Sequence, residues 1–231
     1  MCGRYLIKTA LPVIARALGV DPRRSACGED DRPRYNIAPS QSAPICRIGS
    51  DGARELVTMR WGLVPHWARD RSIGSRLINA RAETVAQKPA FRAALRRRRC
   101  LVPADGYYEW QRVGARRQPW LVQLRDPAPL CFAGLWESQR EGDDEVLLTF
   151  TIITTEANSL SAPIHSRMPA IIAPADYGAW LATACIDPGS ATALLKPFPD
   201  HAMSARPVTT WVNDPRHDDP RCIQPAQPFV A

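Results

Sequence analysis

Apolar residues recur along this chain mostly in short alternating runs, the period of strands half-covered on one face. Such runs span 44–48, 55–61, 76–81, 100–102, 106–111, 120–125, 131–137 and 146–154, with two more near 169–173 and 202–209. Helical spacing is rarer. Residues 12–18 fit a short helix capped by Thr9 and stopped by Gly19, and 90–97, 175–182 and 190–195 fit three others, each with proline close to its start. The charged, Pro/Gly-rich stretch 21–34 reads as a surface loop. Many short strands, few helices and no βαβ alternation predict an α+β fold. The expectation is a single domain over 1–231, built on a barrel-like, mostly antiparallel β-sheet with flanking short helices. Residues 173–231 are expected to add helices and a Pro-rich tail that wraps the surface.

The chain has 231 residues and a net charge of +7. Only Lys8, Lys88 and Lys196 among its 30 basic residues are lysines, so 27 are arginines. Arginine's planar fork suits phosphate, although a GC-rich genome also inflates arginine. Seven cysteines at scattered spacings form neither a disulfide framework nor a zinc pattern, so no metal or other cofactor is expected. No apolar run of about 18 residues and no signal-peptide pattern occurs, and the expected setting is intracellular.

Cys2 carries the most distinctive chemistry. If Met1 is removed, Cys2 holds a free α-amine beside its thiol, and this aminothiol can close on an aldehyde to give a thiazolidine. The α-amine has an ordinary pKa of about 7.7–8.0, which leaves a neutral fraction near pH 7. Arg4 adds a cation beside the reactive centre. The alternative is an inert, buried cysteine. Four further segments put polar groups into apolar surroundings. Asn36, in Tyr35-Asn36-Ile37-Ala38-Pro39, reads first as a turn residue. Asn79, Arg81 and Glu83 share one face of an extended chain, either a solvated face or a pocket wall with Arg81 on phosphate. In Gly106-Tyr107-Tyr108-Glu109-Trp110 the alternation puts Tyr107 and Glu109 on one face, so Glu109 is either exposed at an edge or a desolvated acid fit for proton transfer. His165 lies in a loop stiffened by Pro163 and Pro169, either bonding a carbonyl or shuttling protons, with Arg167 as a phosphate candidate. Trp67, beyond a proline, suits base stacking. The run 96–99 of arginines is a solvated helix end or a contact to a DNA backbone.

Met1-Cys2-Gly3-Arg4, Tyr35-Asn36-Ile37-Ala38-Pro39, Trp61-Gly62-Leu63-Val64-Pro65, Ile78-Asn79-Ala80-Arg81-Ala82-Glu83, Gly106-Tyr107-Tyr108-Glu109-Trp110, Phe132-Ala133-Gly134-Leu135-Trp136-Glu137 and Ile164-His165-Ser166-Arg167-Met168-Pro169 occur in this order. Together they resemble the SRAP family, the SOS response-associated peptidases that process abasic sites. The resemblance covers residues 2–172. It implies covalent capture of abasic sites in single-stranded DNA by a monomer needing no cofactor. Cys2 would be the crosslinking nucleophile, Asn79 would position the sugar, Glu109 would carry protons, and His165 would bond the opened sugar. Arg4, Arg81 and Arg167 would hold phosphates, with Asn36, Pro39 and Trp67 along the DNA path. The family's peptidase label refers to a proposed self-removal of Met1 by the same residues. Bacterial relatives often carry a second large aromatic where this chain has Ala68. The reading requires the Cys2 sulfur to lie in a cationic groove, close to one acid and one imidazole. Two alternatives come from other classes: an N-terminal-nucleophile cysteine amidohydrolase using Asn79 in an oxyanion role, and a non-catalytic nucleic-acid-binding barrel.

Overall fold

The computed structural model describes residues 2–27, 32–141, 145–182 and 188–229. The chain opens with β1 (Arg4–Ile7) and α1 (Leu11–Ala17), followed by β2 (Ser25–Ala26), β3 (Arg34–Ile37), β4 (Ser42–Ile48), β5 (Arg54–Trp61) and the short β6 (Asn79–Arg81). After α2 (Arg92–Arg97) come the long central strands β7 (Arg99–Ala104), β8 (Gly106–Val113), β9 (Arg116–Leu124), β10 (Leu130–Glu141) and β11 (Glu145–Glu156). The chain then runs through β12 (Arg167–Pro169), β13 (Ile171–Ile172), α3 (Tyr177–Leu181), α4 (Pro188–Thr192) and β14 (Met203–Pro207).

The strands form a five-stranded sheet in the order β14-β9-β8-β1-β3 and a nine-stranded sheet built on β12-β11-β10-β7-β4-β5-β2. Pairing is mostly antiparallel, with parallel exceptions where β11 meets β5 and β6 and where β2 meets β5. This is the expected α+β, barrel-like architecture with short flanking helices. The main core fills the space between the sheets, where Tyr5 meets Trp61 and Phe132 edge-on at centroid distances of 5.2 and 5.9 Å. A second apolar cluster of Leu6, Tyr108, Leu121, Val208, Val212 and Cys222 seals the opposite face of the five-stranded sheet beneath the C-terminal segment. Because β8 is covered on both faces, Tyr107 and Tyr108 are both fully buried.

Three local expectations need correction. Thr9 does not cap α1; its hydroxyl and amide, with the Lys8 amide, are taken by the Asp105 carboxylate, and the residue before the helix is Ala10. The strand expected over 76–81 is confined to Asn79–Arg81, since Arg71–Arg76 winds into a 3₁₀ turn initiated by Asp70. Asn36 belongs to strand β3 rather than to a turn. Tyr35 and Asn36 donate their amides to the Asp218 carboxylate at 2.5 and 2.8 Å, so a distant segment satisfies this edge.

Candidate functional site

Strand β1 leads directly out of the N-terminal residues and pairs with β8, Arg4 opposite Tyr108 and Tyr5 opposite Tyr107. Cys2 lies just before β1, outside the paired register, and packs into the core with Tyr5 and Tyr107, within electrostatic reach of Glu109. Cys2 is 0% exposed and Glu109 is 4% exposed. Burial pushes the Cys2 thiol far above its ordinary value, and the neighbouring Glu109 carboxylate raises it further. Burial likewise raises the Glu109 carboxyl, with the imidazole of His165 acting in the opposite sense. Glu109 therefore lies within electrostatic reach of both Cys2 and His165. Of the acid and the imidazole expected near the sulfur, Glu109 is the acid beside Cys2, and His165 acts on Glu109. The expectation of a sulfur open to a groove is not met: Cys2 is packed with the aromatic core, and Tyr5 and Tyr107 both sense its charge. The expectation about Met1 concerns a residue outside the described ones.

The His165 loop is held in register by its neighbours. His165 Nδ1 accepts the Arg167 amide at 3.0 Å, and Ser161 Oγ lies 3.2 Å from the Tyr107 hydroxyl. Such a bond at Nδ1 fixes the imidazole's orientation. Asn79 is half-buried on β6 opposite Ile152, and its amide nitrogen donates to the Ile78 carbonyl at 3.0 Å. Its Oδ1 is buried without a hydrogen-bond partner. A buried acceptor of this kind is costly unless a ligand satisfies it. Tyr5 Oη is a second orphan, beside Cys2. No local pattern in the sequence singles out Tyr5 as a site residue.

Beside the buried pair the surface is cationic. A shallow cleft is lined by Gly3, Arg4, Trp110, Arg117 and Asn213. Arg117 and Asn213 carried no signal in the sequence, and Trp110 read only as a strand residue of the Gly106–Trp110 motif; only the β8–β9 hairpin and the return of the C-terminal segment bring them to Gly3. Arg81 is exposed on β6. Arg167 is engaged by Glu83 through two contacts of 2.5 and 3.0 Å and donates to the Thr154 carbonyl at 2.6 Å.

Residues 1–215 match the model of a family described as SOS response associated peptidase (SRAP). The chain belongs to the SRAP family. It is 38% identical over 226 residues to the abasic site processing protein YoqW of Bacillus subtilis, covering 97% of this chain and 99% of the relative. It is 31% identical over 267 residues to the abasic site processing protein HMCES of Gallus gallus, covering 98% of this chain and 78% of that one. A crystal structure of a protein from Bacteroides thetaiotaomicron shares the fold at a TM-score of 0.83 and 29% identity, covering 98% of this chain and all of the other.

In this SRAP chain the remaining sequence candidates fall in different places. Trp67 is 51% exposed in the loop that follows β5. Ala68 beside it is buried, its carbonyl accepting Gln139 Nε2 at 2.7 Å, so this position offers no second aromatic to solvent. Pro39 is half-buried just after β3. Asn36 is 0% exposed and its side chain is enclosed by Arg4 and three backbone carbonyls, which leaves it no free face for DNA. No described helix is long and apolar enough to cross a membrane.

Proposed function

We infer that this SRAP chain captures abasic sites in single-stranded DNA as a covalent adduct through Cys2. The observation that carries the reading is the electrostatic chain from Cys2 through Glu109 to His165, set beside an arginine-bearing cleft. Hydrolysis of the Met1–Cys2 peptide bond frees the α-amine. The amine adds to the aldehyde of the ring-opened sugar and water leaves, giving an imine. The Cys2 sulfur then attacks the imine carbon: a C–S bond forms, the C=N π bond breaks, and the thiol proton ends on nitrogen. The product is a five-membered thiazolidine.

Burial keeps the Cys2 thiol protonated at rest, so sulfur becomes nucleophilic only as its proton moves. Glu109 is the adjacent carrier, taking the thiol proton and returning it to nitrogen. His165, oriented through Nδ1, bonds the opened sugar, and Asn79 Oδ1 accepts a hydroxyl from the same group. The same steps run backwards release the lesion. Self-removal of Met1 would draw on the same residues. Arg4, Arg81, Arg117 and Arg167 hold flanking phosphates, and Trp67 and Trp110 offer faces to neighbouring bases. Non-specific affinity then falls with salt.

The test is incubation with a single-stranded oligonucleotide carrying one abasic site, read as a denaturant-resistant band. Wild-type protein should form the band and Cys2→Ala should not. A band of equal intensity from Cys2→Ala would sink the assignment. Intact-mass measurement of the same preparation shows whether Met1 has left.

A further inference from the structure

Arg4 is the cation nearest the reactive end of the chain, yet its own strand does not hold its guanidinium. One nitrogen donates to Asn36 Oδ1 at 2.9 Å and to the Val212 carbonyl at 2.8 Å, and the other donates to the Asn213 carbonyl at 3.3 Å. Three of the five N–H donors of an arginine are thereby directed inward. Arg4 also lines the shallow cleft that it shares with Gly3, Trp110, Arg117 and Asn213.

Asn36 is the hub of that arrangement. While Oδ1 receives Arg4, its amide nitrogen donates to the carbonyls of Val212, Asp214 and His217 at 3.2, 3.0 and 2.7 Å. The C-terminal segment that supplies these carbonyls is itself braced. The Trp211 and His217 rings stack at 3.4 Å, the Arg221 guanidinium covers Trp211 at 4.1 Å, and Asp218 binds the Tyr35 and Asn36 amides and the Arg34 side chain. Trp110 Nε1 donates to Asn213 Oδ1 at 2.8 Å, which ties the cleft wall to the same segment. The family match ends at residue 215, so His217 and Asp218 lie beyond it.

We propose that Asn36 and the 212–218 segment form a clasp that presents Arg4 to a DNA phosphate at the cleft beside Cys2, with Asn36 as a positioning residue acting through Arg4. The proposal rests on the reading of the site as a DNA-capture centre. A guanidinium anchored along one side reaches phosphate with little conformational freedom left to lose, whereas an unanchored one would populate many rotamers.

Binding of an undamaged single-stranded oligonucleotide, followed by fluorescence anisotropy across a salt series, isolates the phosphate contact from covalent chemistry. Each phosphate contact to a single strand contributes about 0.7 to the slope of log affinity against log salt. Arg4→Ala should lower the slope by about that amount, Asn36→Ala should lower it equally, and the double variant should lose no more than Arg4→Ala alone. On the abasic oligonucleotide, Asn36→Ala should raise the half-saturating DNA concentration while the single-turnover plateau rate stays within about twofold of wild type. A wild-type slope in either single variant, or additive losses in the double variant, would overturn the clasp. Should Asn36→Ala fail to fold, Arg4→Lys carries the test. Its single ammonium is claimed by Asn36 Oδ1 and the Val212 carbonyl, so it should lose the slope as Arg4→Ala does, and a wild-type slope would refute the idea. If wild-type protein forms no covalent band, the functional reading fails, while the slope on undamaged DNA still decides the clasp.

Discussion

Replacing Gly62 with alanine tests the geometry that sets the Trp67 loop. Gly62 follows Trp61 at the end of β5 and adopts φ = +120°, a region where an L side chain is strained. A Cβ at this position would sit 2.7 Å from the Gly74 carbonyl oxygen and 3.1 Å from its carbon. Gly74 mirrors the arrangement, since a Cβ there would lie 2.8 Å from the Gly62 oxygen. The two backbones meet face to face and cinch the loop between them, with Leu63 N bonded to the Leu77 carbonyl at 3.2 Å and Val64 N to Thr149 Oγ1 at 3.0 Å. The conformational strain costs about 1–3 kcal/mol. Pushing one backbone segment off another adds about 1–3 kcal/mol. Together they reach about 2–6 kcal/mol, a large part of the roughly 5–15 kcal/mol that stabilises a typical domain. For a chain of this length each kcal/mol lowers Tm by about 2–4 °C, so Gly62→Ala should melt about 4–24 °C below wild type. Gly74→Ala has the steric cost without the positive φ and should lose about half as much. Thermal melts by circular dichroism read both. A Gly62→Ala Tm within about 2 °C of wild type, or a Gly74→Ala loss exceeding it, would refute the close-approach argument.

Two further perturbations address the site. In Glu109→Gln the buried carboxyl can no longer titrate. Because burial raises the folded-state pKa above the ordinary 4.5, the wild-type carboxyl favours folding fully below that pH and loses this contribution as pH rises through the raised value. Glu109→Gln should therefore gain stability relative to wild type on going from acid to neutral pH, and its crosslinking rate should lose the rise with pH that ionisation of Glu109 supplies; parallel stability curves and unchanged pH–rate profiles would contradict both. Glu83→Gln removes the carboxylate that occupies Arg167. Glu83 has a side chain 52% exposed, so the pair should be worth no more than about 1 kcal/mol of stability. Single-stranded DNA should bind Glu83→Gln more tightly and with a steeper salt slope, and weaker binding would show that the pair orders Arg167 rather than competing for it.

What the sequence made legible was local. The alternation in 106–111 correctly put Tyr107 and Glu109 on a common face, because side-chain direction in a strand depends only on parity. Gly19, at φ = +65°, ends α1 as read. The failures share a cause. Thr9 has an Asp105 partner 96 residues away, and the Asn36 side-chain amide meets carbonyls 176 to 181 positions later. Nothing in a window around Tyr35-Asn36-Ile37 encodes Val212 or Asp218, so a small polar residue before proline reads as a turn. Cys2 was readable as a reactive aminothiol or as a buried small hydrophobe, and the structure joins the two: the sulfur is buried and lies beside a carboxylate. Arg117 and Asn213 were not legible as cleft residues for the same reason, since a cleft exists only once three separated segments meet.

The burial of Cys2 bears on how such a site stays usable. A thiolate is the form that oxidants and stray electrophiles attack, and a free thiol with an ordinary pKa carries a fraction of it at neutral pH. Desolvation of Cys2 together with Glu109 pushes both toward their protonated forms, so the resting site carries little thiolate. Of the arginines proposed to hold phosphate, Arg4 and Arg117 line the cleft beside Gly3, and burial is the foremost influence on the sulfur itself. On the proposed reading, affinity and nucleophilicity are supplied by different layers. Phosphate contacts would bring a strand to the cleft, and a nucleotide lacking its base would leave room for its aldehyde to approach the inner pair. Selectivity for the lesion would then come from the depth of the sulfur, because an intact nucleotide could satisfy the arginines and still not meet Cys2.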